Sequence, residues 1–118
     1  MSRSSQSRGL IVFSLFVILA LALAAPMAAQ STRTLEGQVM KTGDAPLAGA
    51  IVYLKNTKTL AVRSFTSDEK GNYRFPSLSP NVDYEVYAVY QGNKSETKTL
   101  SAFDSRATAT INLRVHIK

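Results

Sequence analysis

The 118-residue chain has no cysteine, no tryptophan and a single histidine, His116. Without cysteine there is no disulfide framework, no thiolate zinc site and no thiol nucleophile. One histidine cannot supply the several His and Glu ligands of a zinc hydrolase, so neither a metal nor a cofactor is expected. Acidic residues are scarce beside basic ones, 8 against 14, for a formal charge of +6. No run of five or six like charges occurs, however, and a clustered nucleic-acid-binding face is not expected. Lysines scattered along strands read instead as devices that keep sheet edges soluble.

What is present is unevenly distributed. From Leu10 to Ala25 only Ser14 is polar, and the only charged side chains of the preceding segment are Arg3 and Arg8. A small-residue run, Ala24-Ala25-Pro26-Met27-Ala28-Ala29, closes the stretch. A positive start, an apolar centre and a small-residue end make a secretory signal peptide, so residues 1–29 are expected to form a signal helix cut after Ala29, with Ala24 as the second choice. The alternative is an uncleaved anchor, although the apolar run falls short of the ~20 residues a spanning helix needs. Membrane contact is thus expected only through this segment before cleavage. Removal of 29 residues leaves residues 30–118 as one domain with 12 basic and 8 acidic residues. An exported domain without disulfides suggests a bacterial envelope, periplasm or exterior more than a eukaryotic secretory route.

The remaining chain reads as short strands separated by turn signals, with no sustained helical period. Seven strands are predicted: Thr34–Met40, Ala50–Lys55, Ala61–Thr66, Tyr73–Phe75, Asp83–Gln91, Ser95–Leu100 and Thr108–Ile117. Lys41 to Pro46, Asp68 to Asn72 and Gln91 to Lys94 are turns by composition. Pro76 and Pro80 bracket a connection that cannot be an interior strand, since proline donates no ladder hydrogen bond. The pattern predicts an all-β protein, a seven-stranded antiparallel β-sandwich of two small sheets, with a small barrel as the alternative. The predicted core is Leu35, Val39, Ala50, Val52, Leu54, Phe65, Tyr73, Phe75, Leu78, Tyr84, Val86, Ala88, Ile111, Leu113 and Val115.

Several of these segments occur in a recognisable order: Leu35-Glu36-Gly37-Gln38-Val39, Ala45 to Val52, Thr66 to Phe75, Leu78-Ser79-Pro80 and Tyr84-Glu85-Val86. In this order they resemble the carboxypeptidase regulatory-like domain, a transthyretin-like (prealbumin-like) Greek-key sandwich, over roughly Thr34 to Val115. The resemblance implies a companion or stand-alone module. Its motif residues have structural roles, so it implies a fold and not a chemistry. Gly71 is expected to supply a positive-φ turn, and Leu78 to plug one end of the sandwich.

Candidate chemistry is sparse. His116 falls on the polar parity of the last strand with no orienting group or nucleophile placed beside it, so it reads as a surface residue. The resemblance also brings in a hydroxyisourate hydrolase of the same fold, but its C-terminal tetrapeptide is not matched by Val115-His116-Ile117-Lys118. An intramolecular isopeptide bond would need a lysine, an asparagine and a buried acid. Lys41, Asn112 and Glu85 have the right types, yet Glu85 and Asn112 fall on the solvent parity. No catalytic residue is therefore expected. Tyr53 and Tyr87 fall on the outward parity and are the candidate ligand-binding residues, as a platform for sugar rings. The expected function is a non-enzymatic structural or protein-interaction module, its partner an envelope protein or a glycan, with carbohydrate binding through Tyr53 and Tyr87 as the alternative.

Overall fold

The structure is a computed structural model that describes residues 31–117. The expected signal segment lies outside the described residues. Ten strands follow in chain order: β1 Arg33–Lys41, β2 Ala45–Pro46, β3 Ile51–Asn56, β4 Val62–Thr66, β5 Asn72–Leu78, β6 Tyr84–Tyr90, β7 Asn93–Lys94, β8 Lys98–Leu100, β9 Thr108–Thr110 and β10 Leu113–Val115. They form two sheets and no helix among the described residues.

In the first sheet β1 is the hub. β5 runs antiparallel along one side of it, and β2 joins that side at the C-terminal end. On the other side lie β9 and then β10, both parallel to β1. The second sheet is ordered β4-β3-β6, with β7 and β8 on the far side of β6, and is antiparallel throughout. The two sheets bury one apolar face each. Leu35, Phe75 and Leu113 from the first meet Val52, Leu54 and Val86 from the second, each such side chain contributing roughly 1.5–3 kcal/mol by leaving water.

Four sequence expectations are corrected. The sandwich is mixed rather than purely antiparallel, because the last strands return to β1 only after the chain has crossed the whole second sheet, and a long crossover permits parallel pairing. The single strand expected over Thr108–Ile117 is two short ones, interrupted at Ile111 and Asn112; with the two-residue β2 and β7 this makes ten segments, not seven. β5 continues through Pro76 to Leu78, where only bracketing was expected. It pairs with β1 alone, and an edge strand tolerates a missing N–H. In the core, Phe65 is 39% exposed and Ile111 is only half-buried, while Leu47, Leu100 and Ala109 are buried members outside the predicted core.

The turns form for the reasons their residues suggest. The Asp68 carboxylate accepts the Lys70 and Asn72 N–H groups, and Gly71 takes φ +78° where an added Cβ would stand 2.5 Å from the Val39 carbonyl oxygen. At the β6–β7 hairpin both central residues, Gln91 and Gly92, have positive φ, the conformation whose twist suits a two-residue turn. Leu78 is buried as expected.

Candidate functional site

The described residues offer four places where chemistry or contact could reside. The first is the start of β1, where Arg33 alternates inward with Leu35 and is only 3% exposed. Its guanidinium donates to four backbone carbonyls: Nε to Ser79 at 3.1 Å, Nη1 to Ser101 at 2.6 Å and Asp104 at 3.3 Å, and Nη2 to Val82 at 2.5 Å. Its Cζ lies 5.8 Å from the centre of the Tyr84 ring. The Tyr84 hydroxyl in turn accepts the Ser79 N–H at 2.9 Å. A buried cation costs several kcal/mol of desolvation, offset here by carbonyl dipoles that draw two loops onto β1. The Asp104 carboxylate nearby accepts from Arg106 instead, side chain first and then backbone N–H, which lowers its pKa to about 2.

The other buried polar groups are likewise engaged with backbone. Ser67 Oγ accepts the Ala50 N–H at 2.9 Å and donates to the Leu47 carbonyl at 2.7 Å. Ser95 Oγ accepts the Ala88 N–H and donates to the Glu96 carbonyl. The Tyr73 hydroxyl donates to the Ile111 carbonyl at 2.5 Å, and burial raises its pKa well above the usual tyrosine range. Ile111 and Asn112 interrupt the last strand because β1 and Tyr73 claim them. The Ile111 N–H bonds the Glu36 carbonyl, and Asn112 Oδ1 replaces a backbone acceptor for the Gln38 N–H. Gly37 completes the fit: a Cβ there would stand 1.8 Å from the Ile111 carbonyl oxygen.

The second place is the outer face of the first sheet, an open trough of about 530 Å³ lined chiefly by Glu36, Gln38, Asn72, Arg74, Thr110 and Asn112. Its lining mixes polar side chains with a larger share of exposed carbon surface, and its aromatic residues are Phe65 and Tyr73. His116 is exposed and borders a neighbouring depression with Met40, Glu96, Lys98, Asn112 and Arg114. No hydroxyl or thiol stands among those lining residues. Lys41, Asn112 and Glu85 are not brought together. Asn112 is held against β1 in the first sheet, while Glu85 pairs with Lys55 on the outward face of the second.

Tyr53 and Tyr87 make the third place. They are directly opposed in the β3–β6 register and half-buried on the outer face of the second sheet. Their rings stack with centroids 5.3 Å apart and planes 29° apart, and Lys94 Nζ lies 4.4 Å from the Tyr87 ring centre. Stacking on each other and on a cation uses ring surface that a sugar platform would present.

The fourth place is the β4 edge, which the sequence did not single out. β4 pairs only with β3, and every one of its residues is exposed. Ile51, Leu60, Val62 and Phe65, four of the five exposed large hydrophobic residues, lie on or beside it. β4 carries neither proline nor lysine to mark it as an edge; the pairing order reveals it.

These features define a small β-sandwich whose buried polar side chains bond its own backbone and whose exposed apolar surface gathers along one strand. A family model for the carboxypeptidase regulatory-like domain matches residues 34–116, and the chain belongs to that family. No curated protein matches the sequence. Among solved structures, the chain is similar to BcpA, the major pilin subunit of Bacillus cereus, at 15% identity and a TM-score of 0.55 over 73% of this chain and 30% of that one. The C-terminal domain of the shaft pilin SpaA from Lactobacillus rhamnosus GG matches over its whole length and 75% of this chain, at 13% identity and a TM-score of 0.58. Catechol 1,2-dioxygenase from Pseudomonas arvilla C-1 matches at 15% identity and a TM-score of 0.55, over 76% of this chain and 54% of the enzyme. Such identities establish a shared fold alone; the chain spans less than a third of BcpA and about half of the dioxygenase.

Proposed function

We propose that this is an exported, non-enzymatic carboxypeptidase regulatory-like module that serves as a structural or protein-interaction domain in a bacterial cell envelope or outside the cell. The observation that carries the reading is the use of the buried polar groups. Arg33, Ser67, Tyr73 and Ser95 all bond backbone groups of neighbouring strands and loops, so the polar chemistry of the interior holds the sandwich together. The likeness of fold to two pilin subunits is in keeping with this role. Export rests on the signal-like residues 1–29.

Expression of the full chain in an exporting bacterium tests both parts. The expected product is extracytoplasmic, with a mass that begins at Gln30. A full-length cytoplasmic product overturns export. Hydrolytic activity in the recovered protein that disappears in His116→Ala overturns the non-enzymatic assignment. The outward placement of Tyr53 and Tyr87 favours a second reading, glycan binding, for which Tyr53→Ala and Tyr87→Ala are expected to abolish retention on a glycan array.

A further inference from the structure

Resting on the interaction-module reading, we propose that β4 is a docking edge for a second copy of this chain, paired antiparallel about a two-fold axis at Ser64. The edges of the two sheets differ in how they are protected. β5 carries Pro76, which lacks an N–H, and Ser77 at φ +61°, both of which interrupt a template strand. β2, β7, β8, β9 and β10 are two or three residues long. β4 alone among the described edge strands offers five consecutive residues without proline. Its one charged side chain, Arg63, lies opposite the buried Leu54 and is folded inward: its Cζ stands 5.7 Å from the Phe75 ring centre, and it donates to the Pro76 carbonyl at 3.2 Å. The outward side chains Val62, Ser64 and Thr66 carry no charge that would repel a partner.

The hydrogen-bond phase fixes which groups are open. The Ser67 N–H bonds Ala50 and the Asn56 N–H bonds Ala61. With the β3–β4 register and the alternation of antiparallel ladders, Ala61, Arg63, Phe65 and Ser67 therefore turn their N–H and C=O groups toward β3. Those of Val62, Ser64 and Thr66 point away from the sheet and have no partner among the described residues.

A second copy meets this pattern because β4 is complementary to its own reverse. A two-fold axis at Ser64 sets Ser64 against Ser64 and Val62 against Thr66, so that all the open groups face open groups. The same register sets Arg63 against Phe65 of the second copy. The guanidinium that lies over Phe75 in its own chain then meets a second aromatic face, a favourable cation–π contact. On the outer face Val62 meets Thr66, beside Ile51 of the second copy, covering two residues of the exposed patch. A five-residue edge buries less than a standard interface, so the pairing belongs to the weak, reversible class.

A natural sequence without cysteine makes the test direct. Ser64→Cys in the full chain puts two thiols on the axis, at Cα atoms about 5.5 Å apart in a hydrogen-bonded antiparallel pair, within disulfide reach. Ser105→Cys, exposed and remote from β4 in sequence, is the control. Copper phenanthroline is added to lysed cells so that the readout does not depend on export. The expected result is several-fold more disulfide homodimer from Ser64→Cys than from Ser105→Cys. Introducing Ser64→Pro removes an outward N–H and is expected to abolish concentration-dependent dimerisation in light scattering, with the melting temperature unchanged. Equal homodimer from the two cysteine variants, or dimerisation unaffected by Ser64→Pro, overturns the proposal. A Ser64→Cys disulfide to a different protein also overturns it but leaves the interaction-module reading standing. Loss of that reading, through cytoplasmic retention or enzymatic activity, leaves the homodimer result intact.

Discussion

The two sheets of this sandwich are stabilised by different means. The first is irregular: its last strand breaks at Ile111 and Asn112, its edge strand contains a proline, and side chains join a single backbone bond in bridging the break. The second has a regular six-pair β3–β6 ladder, with the buried Ser67 and Ser95 hydroxyls closing its ends, but it leaves β4 uncovered. Specific side-chain bonds thus close the interruptions and ends of both sheets, and generic pairing capacity remains on β4, where another chain can reach it. Substitutions in the first sheet are therefore expected to cost stability, and those on β4 to cost association.

The largest expected effect is Gly37→Ala, since the new methyl meets the Ile111 backbone and not a flexible side chain. A loss of more than about 4 kcal/mol in chemical denaturation is expected; a change under about 1 kcal/mol would show that the last strand can move away from β1. Phe75→Ala is expected to cost about 4 kcal/mol and Phe65→Ala only about 1 kcal/mol, because one ring is buried and the other is partly in water already. Equal losses would erase the contrast between the sheets.

Arg33→Ala leaves carbonyls of two loops without their donor and is expected to cost about 3 kcal/mol, read as a lowered melting temperature. Tyr73→Phe removes a single buried hydrogen bond and should cost about 1–2 kcal/mol. This tyrosine also sets a pH dependence. Its folded-state pKa is raised by burial, so its contribution to stability is complete below the ordinary tyrosine pKa of about 10 and declines as pH rises above it. The alkaline loss of stability should therefore be smaller in Tyr73→Phe than in the unaltered chain. The smallest effect on stability is expected from Ser64→Pro, whose N–H serves no bond within the fold.

Much of this was legible in the alternation of residues. Leu35 and Val39, Val52 and Leu54, and Tyr84, Val86 and Ala88 are buried as their parity requires, and Tyr53 and Tyr87 face outward on neighbouring strands. Parity failed where burial depends on what covers a strand. Phe65 points inward and packs at a steep angle on Phe75 of the opposite sheet, but β4 is an edge and the outer side of the ring stays in water. Leu47 lies in a connection, outside any alternation, and is buried by the fold around it. Arg33 kept the parity of Leu35 and Val39, a signal that its charge obscured. The exposed strand itself could not be read, because Val62–Thr66 carries none of the prolines or lysines that mark an edge.

Residue-resolved amide exchange of the full exported chain over a range of concentrations tests the division between the sheets most directly. Val62, Ser64 and Thr66 are expected to exchange freely in dilute protein and to slow together as concentration rises, while the amides of β1 and β3 stay protected throughout. Fast, concentration-independent exchange at those three residues, or protection that is already complete at the highest dilution, would contradict it.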